Sequence, residues 1–436
     1  MYQLLTSSAK IMLICCFTSY RKEHYTMKTA FCPADILLPN VPDMTKWSVV
    51  ACDQYTGEPE YWRETERIVG DAPSTLRLTL PEIYLEEPDV AERIAKIDSN
   101  IESYLKSGVF REYKNAMIYT RRIQSDGKLR EGIVGAVDLE QYDYRRGSSS
   151  PIRATEATVA ERIPPRLKIR ENAACELPHI MILIDDAAKT VIEPLGGMSL
   201  SKLYDFALMQ GGGSISGYLL DDNAIAGVDN ALYELSKKSP MLFAMGDGNH
   251  SLATAKEHYE KLKRENPDKD MSNHPARYAL CEIVNLHSPA LEFEAIHRIV
   301  TGVNTAELIN DMTVALDLRE DVSGQKIGIV TNGEVRDVYV HNPLSKLAVG
   351  SLQTFLDGYI AASGTAHGGK IDYIHGDDVL KGLAKGDDSV GFLLEPMQKS
   401  ELFGAVIADG ALPRKTFSMG HAADKRYYLE ARKIVL

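Results

Sequence analysis

Hydrophobic positions along this chain follow helical spacing in some stretches and strand spacing in others. Val90, Ile94, Ile97, Ile101 and Leu105 recur at intervals of three and four. That spacing puts them on one face of a helix and predicts an amphipathic helix over 89–107, with Gly108 as its C-cap. Residues 116–122 and 132–139 read as strands flanking Ser125-Asp126-Gly127-Lys128, a hairpin signal. Residues 47–52 and 179–184 read as short buried strands. Residues 154–173 read as helical but broken at Pro164-Pro165. Residues 200–209 read as a helix stopping at Gly211-Gly212-Gly213, and 226–238 as another. Residues 241–245 form a buried strand, and from Ser251 onward Leu252, Ala255, Tyr259 and Leu262 make a helical stripe. Residues 279–286 and 327–340 are strand-like.

This mixture of helices, strands and hairpins predicts an α+β fold with mixed sheets. The 436 residues exceed one ordinary core. The expected divisions are an N-terminal extension over 1–26, a main α+β region over 27–300, and a C-terminal α+β region over 301–436. The extension reads as disordered or as a mis-assigned start, and the C-terminal region contributes a closing segment.

Composition adds limits. The chain is 44% hydrophobic and 25% charged, as globular proteins are. A net charge of −12 disfavours nucleic-acid binding but leaves room for a local pocket that takes a small anion. Six cysteines without a C-x-x-C pair suit neither zinc nor a secreted disulfide framework, so reduced thiols and a cytoplasmic location are expected. The apolar run over 11–17 is too short to span a bilayer, and no membrane association is expected. Oligomeric state has no signature in the sequence.

The strand–turn–helix junction Met245-Gly246-Asp247-Gly248-Asn249-His250 carries the most chemistry. Gly246 and Gly248 suit a tight turn with positive φ and close ligand approach. The start of the following helix offers unpaired N–H groups to an anion. Asp247 suits a metal ligand or a base, and Asn249 and His250 suit phosphate contacts. The same residues also suit a plain helix cap. Gly211-Gly212-Gly213, with Ser214 and Ser216, suits either an anion loop or a flexible connector. Arg162, Arg166 and Arg170 share a helical face, either for binding anions or for pairing with Glu156, Glu161 and Glu171. Asp53 and Tyr55 stand at a strand end where a base or a turn cap would sit. His297-Arg298 and Leu412-Pro413-Arg414-Lys415-Thr416-Phe417 read as site lining or as ordinary strand end and surface. Zinc-protease, nucleophile-elbow, EF-hand and dinucleotide fingerprints do not occur.

Four stretches together resemble the bacterial family catalogued as domain of unknown function 1015. They are Val50-Ala51-Cys52-Asp53-Gln54-Tyr55, residues 132–139 with the arginine-rich 162–170, Gly246-Asp247-Gly248-Asn249-His250, and residues 412–417. The Asp-Gly-Asn-His piece is similar to a signature in ParB-like nucleotide-binding proteins and free serine kinases. The resemblance implies a ParB-like core around the junction, with Asp247, Asn249 and His250 as phosphate or metal contacts and Asp53 as a base. It also implies Mg2+ with ATP or ADP as the cofactor. Asn249 and Ser251 stand where the family usually has His and Arg, so Arg166, Arg170 or Lys415 would supply the missing charge. Implied functions are a small-molecule phosphotransferase, a non-catalytic nucleotide or anionic-metabolite regulator, or a metal-dependent hydrolase. Gly246, Gly248, Asn249 and Ser251 would line the ligand, and Asp247, Asp53 and His250 would carry the chemistry.

Overall fold

Ile133, Val134, Ala136 and Val137 are all buried, so the strand Leu129–Asp138 is covered on both faces. The computed structural model describes residues 27–51, 55, 57–85, 87–157, 163–363 and 369–436. The 1–26 extension, Cys52, Asp53 and Arg162 lie outside the described residues. Leu129–Asp138 is central to a 10-stranded mixed sheet. It pairs antiparallel with Ile118–Ile123 on one side and Tyr278–Asn285 on the other. Beyond Tyr278–Asn285 come Met181–Ile184, running parallel to it, and then Phe243–Asp247, running antiparallel to that.

A second, 7-stranded antiparallel sheet is built on Phe293–Thr301, Gln325–Thr331, Glu334–Val340, Lys370–His375 and Ser389–Leu393. One apolar cluster joins the sheets: Leu183, Ala244 and Val284 of the first pack with Val300, Ile329 and Phe392 of the second. The fold is therefore α+β with mixed sheets. No helix among the described residues is long and apolar enough to cross a membrane.

Among the described residues, the α-helices that precede the second sheet in the chain are α1 (Pro59–Val69), α2 (Val90–Lys106), α3 (Ile163–Arg170), α4 (Asp222–Ser236) and α5 (Asn249–Glu265). The 89–107 stripe becomes α2, with Ile97 and Ile101 buried and Gly108 in the left-handed region behind it. The hairpin turn forms with Gly127 at φ 83°. Pro164 and Pro165 open α3 instead of breaking it, since the first helical turn needs no N–H donors.

Two expectations are corrected. Residues 200–209 are not a helix: Ser201–Ala207 is a strand pairing with Ser214–Leu219, because the Tyr204 ring lies over Gly217. The expected strand over 47–52 is an isolated bridge between Val50 and Arg426 behind a short 3-10 turn. Residues 327–340 divide at Asn332-Gly333 into two strands.

The last stretch of chain recrosses the first sheet. Arg432–Lys433 pairs with Cys175–Glu176, and Ala431 exchanges main-chain bonds with Leu37. Buried polar groups hold this strap. Arg122 donates to the Asp424 carbonyl (2.6 Å), and Tyr204 donates to Glu430 (2.7 Å). Arg426 donates to the carbonyls of Ser48, Met209 and Ala423. The triple glycine makes room for that guanidinium, since a Cβ on Gly212 would stand 2.4 Å from Arg426 Nε. It is a connector shaped around the chain's own cation.

Burial raises the Glu430 carboxyl from 4.5 to about 7. A carboxyl whose folded pKa is raised contributes stability that is complete below its unfolded value and is lost as pH rises through the folded one. Stability from this group therefore declines between pH 4.5 and about 7, by on the order of 3 kcal/mol. Glu430→Gln should flatten that slope. Melting temperatures at pH 5 and pH 8 check it, and equal pH slopes in wild type and variant would refute it.

Candidate functional site

The strand Phe243–Asp247 is buried through Met245 and then opens. Its pairing with Met181–Ile184 shifts register between Met245 and Asp247, so Gly246 forms a bulge. Gly246 is not in the positive-φ region assigned to it from sequence. A Cβ there would come within 3.0 Å of Leu183, and close packing is what requires glycine. Gly248 does adopt φ 79°, in the left-handed conformation, as the N-cap of α5.

The N-cap of α5 is Gly248, which has no side chain to cap it. Asp247 Oδ1 accepts the Gly248 N–H at 2.8 Å, within the turn and not from the helix. The first helical bond runs from Leu252 N–H to the Gly248 carbonyl at 3.0 Å. The helix start is thus open to a ligand, with its dipole favouring negative charge. Asn249 Oδ1 is buried without a hydrogen-bond partner among the described residues.

This junction lines a cavity of about 490 Å³. Gly246, Asp247, Gly248, Asn249, His250 and Ser251 form one wall. Arg166 and Arg170 come from α3, and Lys415 from the C-terminal segment. Residues 246–251, Arg166, Arg170 and Lys415 therefore line one cavity, whereas Tyr55, Gly211–Gly213, His297 and Arg298 are not in its lining. Asp53 lies outside the described residues.

The charges are not equivalent. Arg166 pairs with Glu82, and Arg170 with Glu176 at 2.6 Å. Of the glutamates expected from sequence, Glu171 bonds Lys261 instead, and Glu161 lies outside the described residues. Glu176 is fully buried, also takes Arg432 and the Leu280 N–H, and its carboxyl is held below the usual range by those partners against its desolvation. The arginines thus arrive with their charge largely balanced. The lysines stand closer to the turn's chemistry. Lys415 adopts φ 59°, and Lys425 Nζ lies 3.5 Å from Asp247 Oδ2.

Two residues of this cavity escape a reading of the sequence. Lys425 sits in an unremarked Asp424-Lys425-Arg426 run. Glu156 reads from sequence as an ion-pair partner of the arginines. In the fold, Thr155 Oγ1 donates to the Met245 carbonyl, and the Leu412 N–H donates to the Thr155 carbonyl at 2.8 Å. Those bonds hold Glu156 in a bridge to Leu412, with Lys415 close enough to influence its carboxyl. His297 and Arg298 are buried in their strand. His297 joins Asp377 at 3.0 Å, and Arg298 donates to Gln353.

The far end of the cavity is apolar, with Leu78, Leu80, Ile97 and Ile101 in its wall. Among the described residues no three His, Cys, Asp or Glu side chains converge as a metal ligand set. Asp247 is neighboured by a lysine, so a divalent cation here would need oxygens from a bound ligand.

No curated protein matches the chain. Among solved structures, SbnI with a C-terminal truncation from Staphylococcus aureus aligns at 11% identity and a TM-score of 0.34, over 66% of this chain and 82% of that one. A conserved hypothetical protein from Pyrococcus furiosus aligns at 10% and 0.33, over 66% and 90%. A free serine kinase variant in complex with AMP aligns at 10% and 0.38, over 71% and 93%. Likeness at this level leaves the chemistry of the chain to its own residues. The family model described as protein of unknown function, DUF1015, matches residues 37–359, a span that holds the whole Gly-Asp-Gly-Asn-His turn and ends before Lys415. With well over half its length matched, the chain belongs to the DUF1015 family.

Proposed function

We propose that the cavity binds a nucleotide by its phosphates and transfers a phosphoryl group to a small hydroxy compound. One observation carries this reading: a helix start with a glycine N-cap and two lysines line the same cavity. Lys415 and Lys425 supply charge that the family's usual arginine would otherwise provide after His250. Phosphate oxygens would approach the start of α5, with Asn249 and Ser251 beside them. The volume suits a nucleotide, and the apolar end would receive the base. Asp247 is the carboxylate able to reach a divalent cation carried between phosphates, and that cation would screen the charge of the transferring group. Catalysis would rest on positioning and charge stabilisation.

The hydrolase reading has less support, because the described residues offer no ligand set for a resident metal. A non-catalytic binder differs from the transferase only in turnover. A thermal-shift panel of ATP, ADP, AMP and pyrophosphate, with and without magnesium, tests the binding. A ligand at a hundred times its Kd should stabilise the fold by about 3 kcal/mol. ATP and ADP are expected to raise Tm more than AMP. No shift with any of the four would overturn the reading. ADP release in the presence of small hydroxy compounds then separates transferase from binder.

A further inference from the structure

We propose that Glu156 is the catalytic base of this site, accepting the proton of the attacking hydroxyl. This rests on the phosphotransferase reading given above. Asp247 and Glu156 both line the cavity, and their surroundings divide the work between them. Asp247 is engaged by the Gly248 N–H at 2.8 Å and faces Lys425 at 3.5 Å. That setting suits a group standing beside phosphate or its cation. The backbone at Glu156 is held through Thr155, whose hydroxyl donates to the Met245 carbonyl and whose carbonyl accepts the Leu412 N–H of the Glu156–Leu412 bridge. The Lys415 backbone and ammonium both stand near its carboxylate and favour its charged form. A rigid mount of this kind is what a base needs, since proton transfer requires hydrogen-bond reach in one pose.

Several charges face Glu156 from the elements around it. They are Lys415 and Lys425 of the C-terminal segment, Asp247 at the strand end, and Arg298 on the strand Phe293–Thr301. Burial is the largest influence and pushes its carboxyl up from 4.5; the two lysines oppose that and Asp247 reinforces it. A carboxylate shifted upward is a better proton acceptor near neutral pH.

In the step, the acceptor oxygen forms a bond to the terminal phosphorus. The bond from phosphorus to the bridging oxygen breaks, and ADP leaves with that electron pair. The hydroxyl proton passes to Glu156, which returns it to solvent after product leaves. No oxidant or reductant is needed.

The test uses the full chain, ATP with magnesium, and ADP release measured with water and with a panel of small alcohols. Glu156→Gln should lower kcat by roughly 100-fold or more, while ADP binding and Tm stay close to wild type. Glu156→Asp should retain part of the activity. The wild-type rate should rise with pH through an acidic limb that the glutamine variant lacks. A glutamine variant that turns over like wild type removes Glu156 and leaves the phosphotransferase reading standing. Loss of ADP binding together with turnover makes Glu156 a binding group and overturns the proposal. Absence of turnover in wild type, with binding intact, overturns both.

Discussion

Substituting both Lys415 and Lys425 by glutamine is expected to weaken ADP binding by roughly 100-fold or more. Each charge-assisted hydrogen bond to phosphate is worth about 1.5–3 kcal/mol, and about 1.4 kcal/mol corresponds to a factor of ten in affinity. Two such contacts give ~3–6 kcal/mol if both lysines reach the same phosphates. The fold itself should barely notice. Lys425 forms a half-exposed pair with Asp247, and such pairs contribute about 1 kcal/mol or less. Lys415 keeps its left-handed backbone in the glutamine variant, so no new strain enters. Binding by wild type should also weaken with added salt more steeply than binding by the variant. Calorimetric titration with ADP at two ionic strengths reads both quantities. A double variant that binds ADP as wild type does would move the phosphates away from this end of the cavity.

Glu282→Ala is expected to be the most destabilising single change outside the site, at about 3–5 kcal/mol. Glu282 is 3% exposed and pairs with Arg130 at 2.9 Å. It also accepts the Thr120 hydroxyl at 2.8 Å. The sheet makes space for it, since a Cβ on Gly132 would stand 2.4 Å from its Oε1. Removing the carboxylate strands a buried guanidinium whose Nε already lacks a partner among the described residues. Most of the loss comes from that orphaned cation and not from the pair's own worth. Glu282→Ala combined with Arg130→Met should therefore recover a large part of the stability. Chemical denaturation of the three proteins decides the matter. A double variant no more stable than Glu282→Ala would show that cavity formation, and not charge, sets the cost.

Much of the site was legible because its central piece is local. A buried strand, two glycines and an apolar helical stripe lie within about twenty consecutive residues, and strand, bulge and α5 form there. Helix α2 was legible for the same reason. The errors fall where distant contacts overrule local pattern. Tyr204 lies in a strand because its ring covers Gly217 and its hydroxyl meets Glu430. Val49 and Val50 are buried like strand residues, yet the chain beside them is Arg426 and Tyr427, which satisfy them without a sheet. Lys425 and Glu156 carry no periodic signal at all. Each matters through what the fold brings beside it, Asp247 in one case and Lys415 in the other. The arginine face was visible, but its partners Glu82 and Glu176 were not, and they change its charge.

The strap that closes the first sheet also sets a clock on the protein's synthesis. Ser48 bonds the Tyr427 carbonyl at 2.6 Å across 379 positions of chain. Both lysines of the cavity belong to this late segment. A growing chain has its Gly-Asp-Gly-Asn-His turn outside the ribosome well before Lys415 and Lys425 emerge, by roughly ten to thirty seconds at ~5–20 residues per second. During that interval the turn has its carboxylate but not its cations, and anions have little reason to stay. A prematurely terminated chain would be left in the same condition, and on the proposed reading it would lack both lysines that hold phosphate.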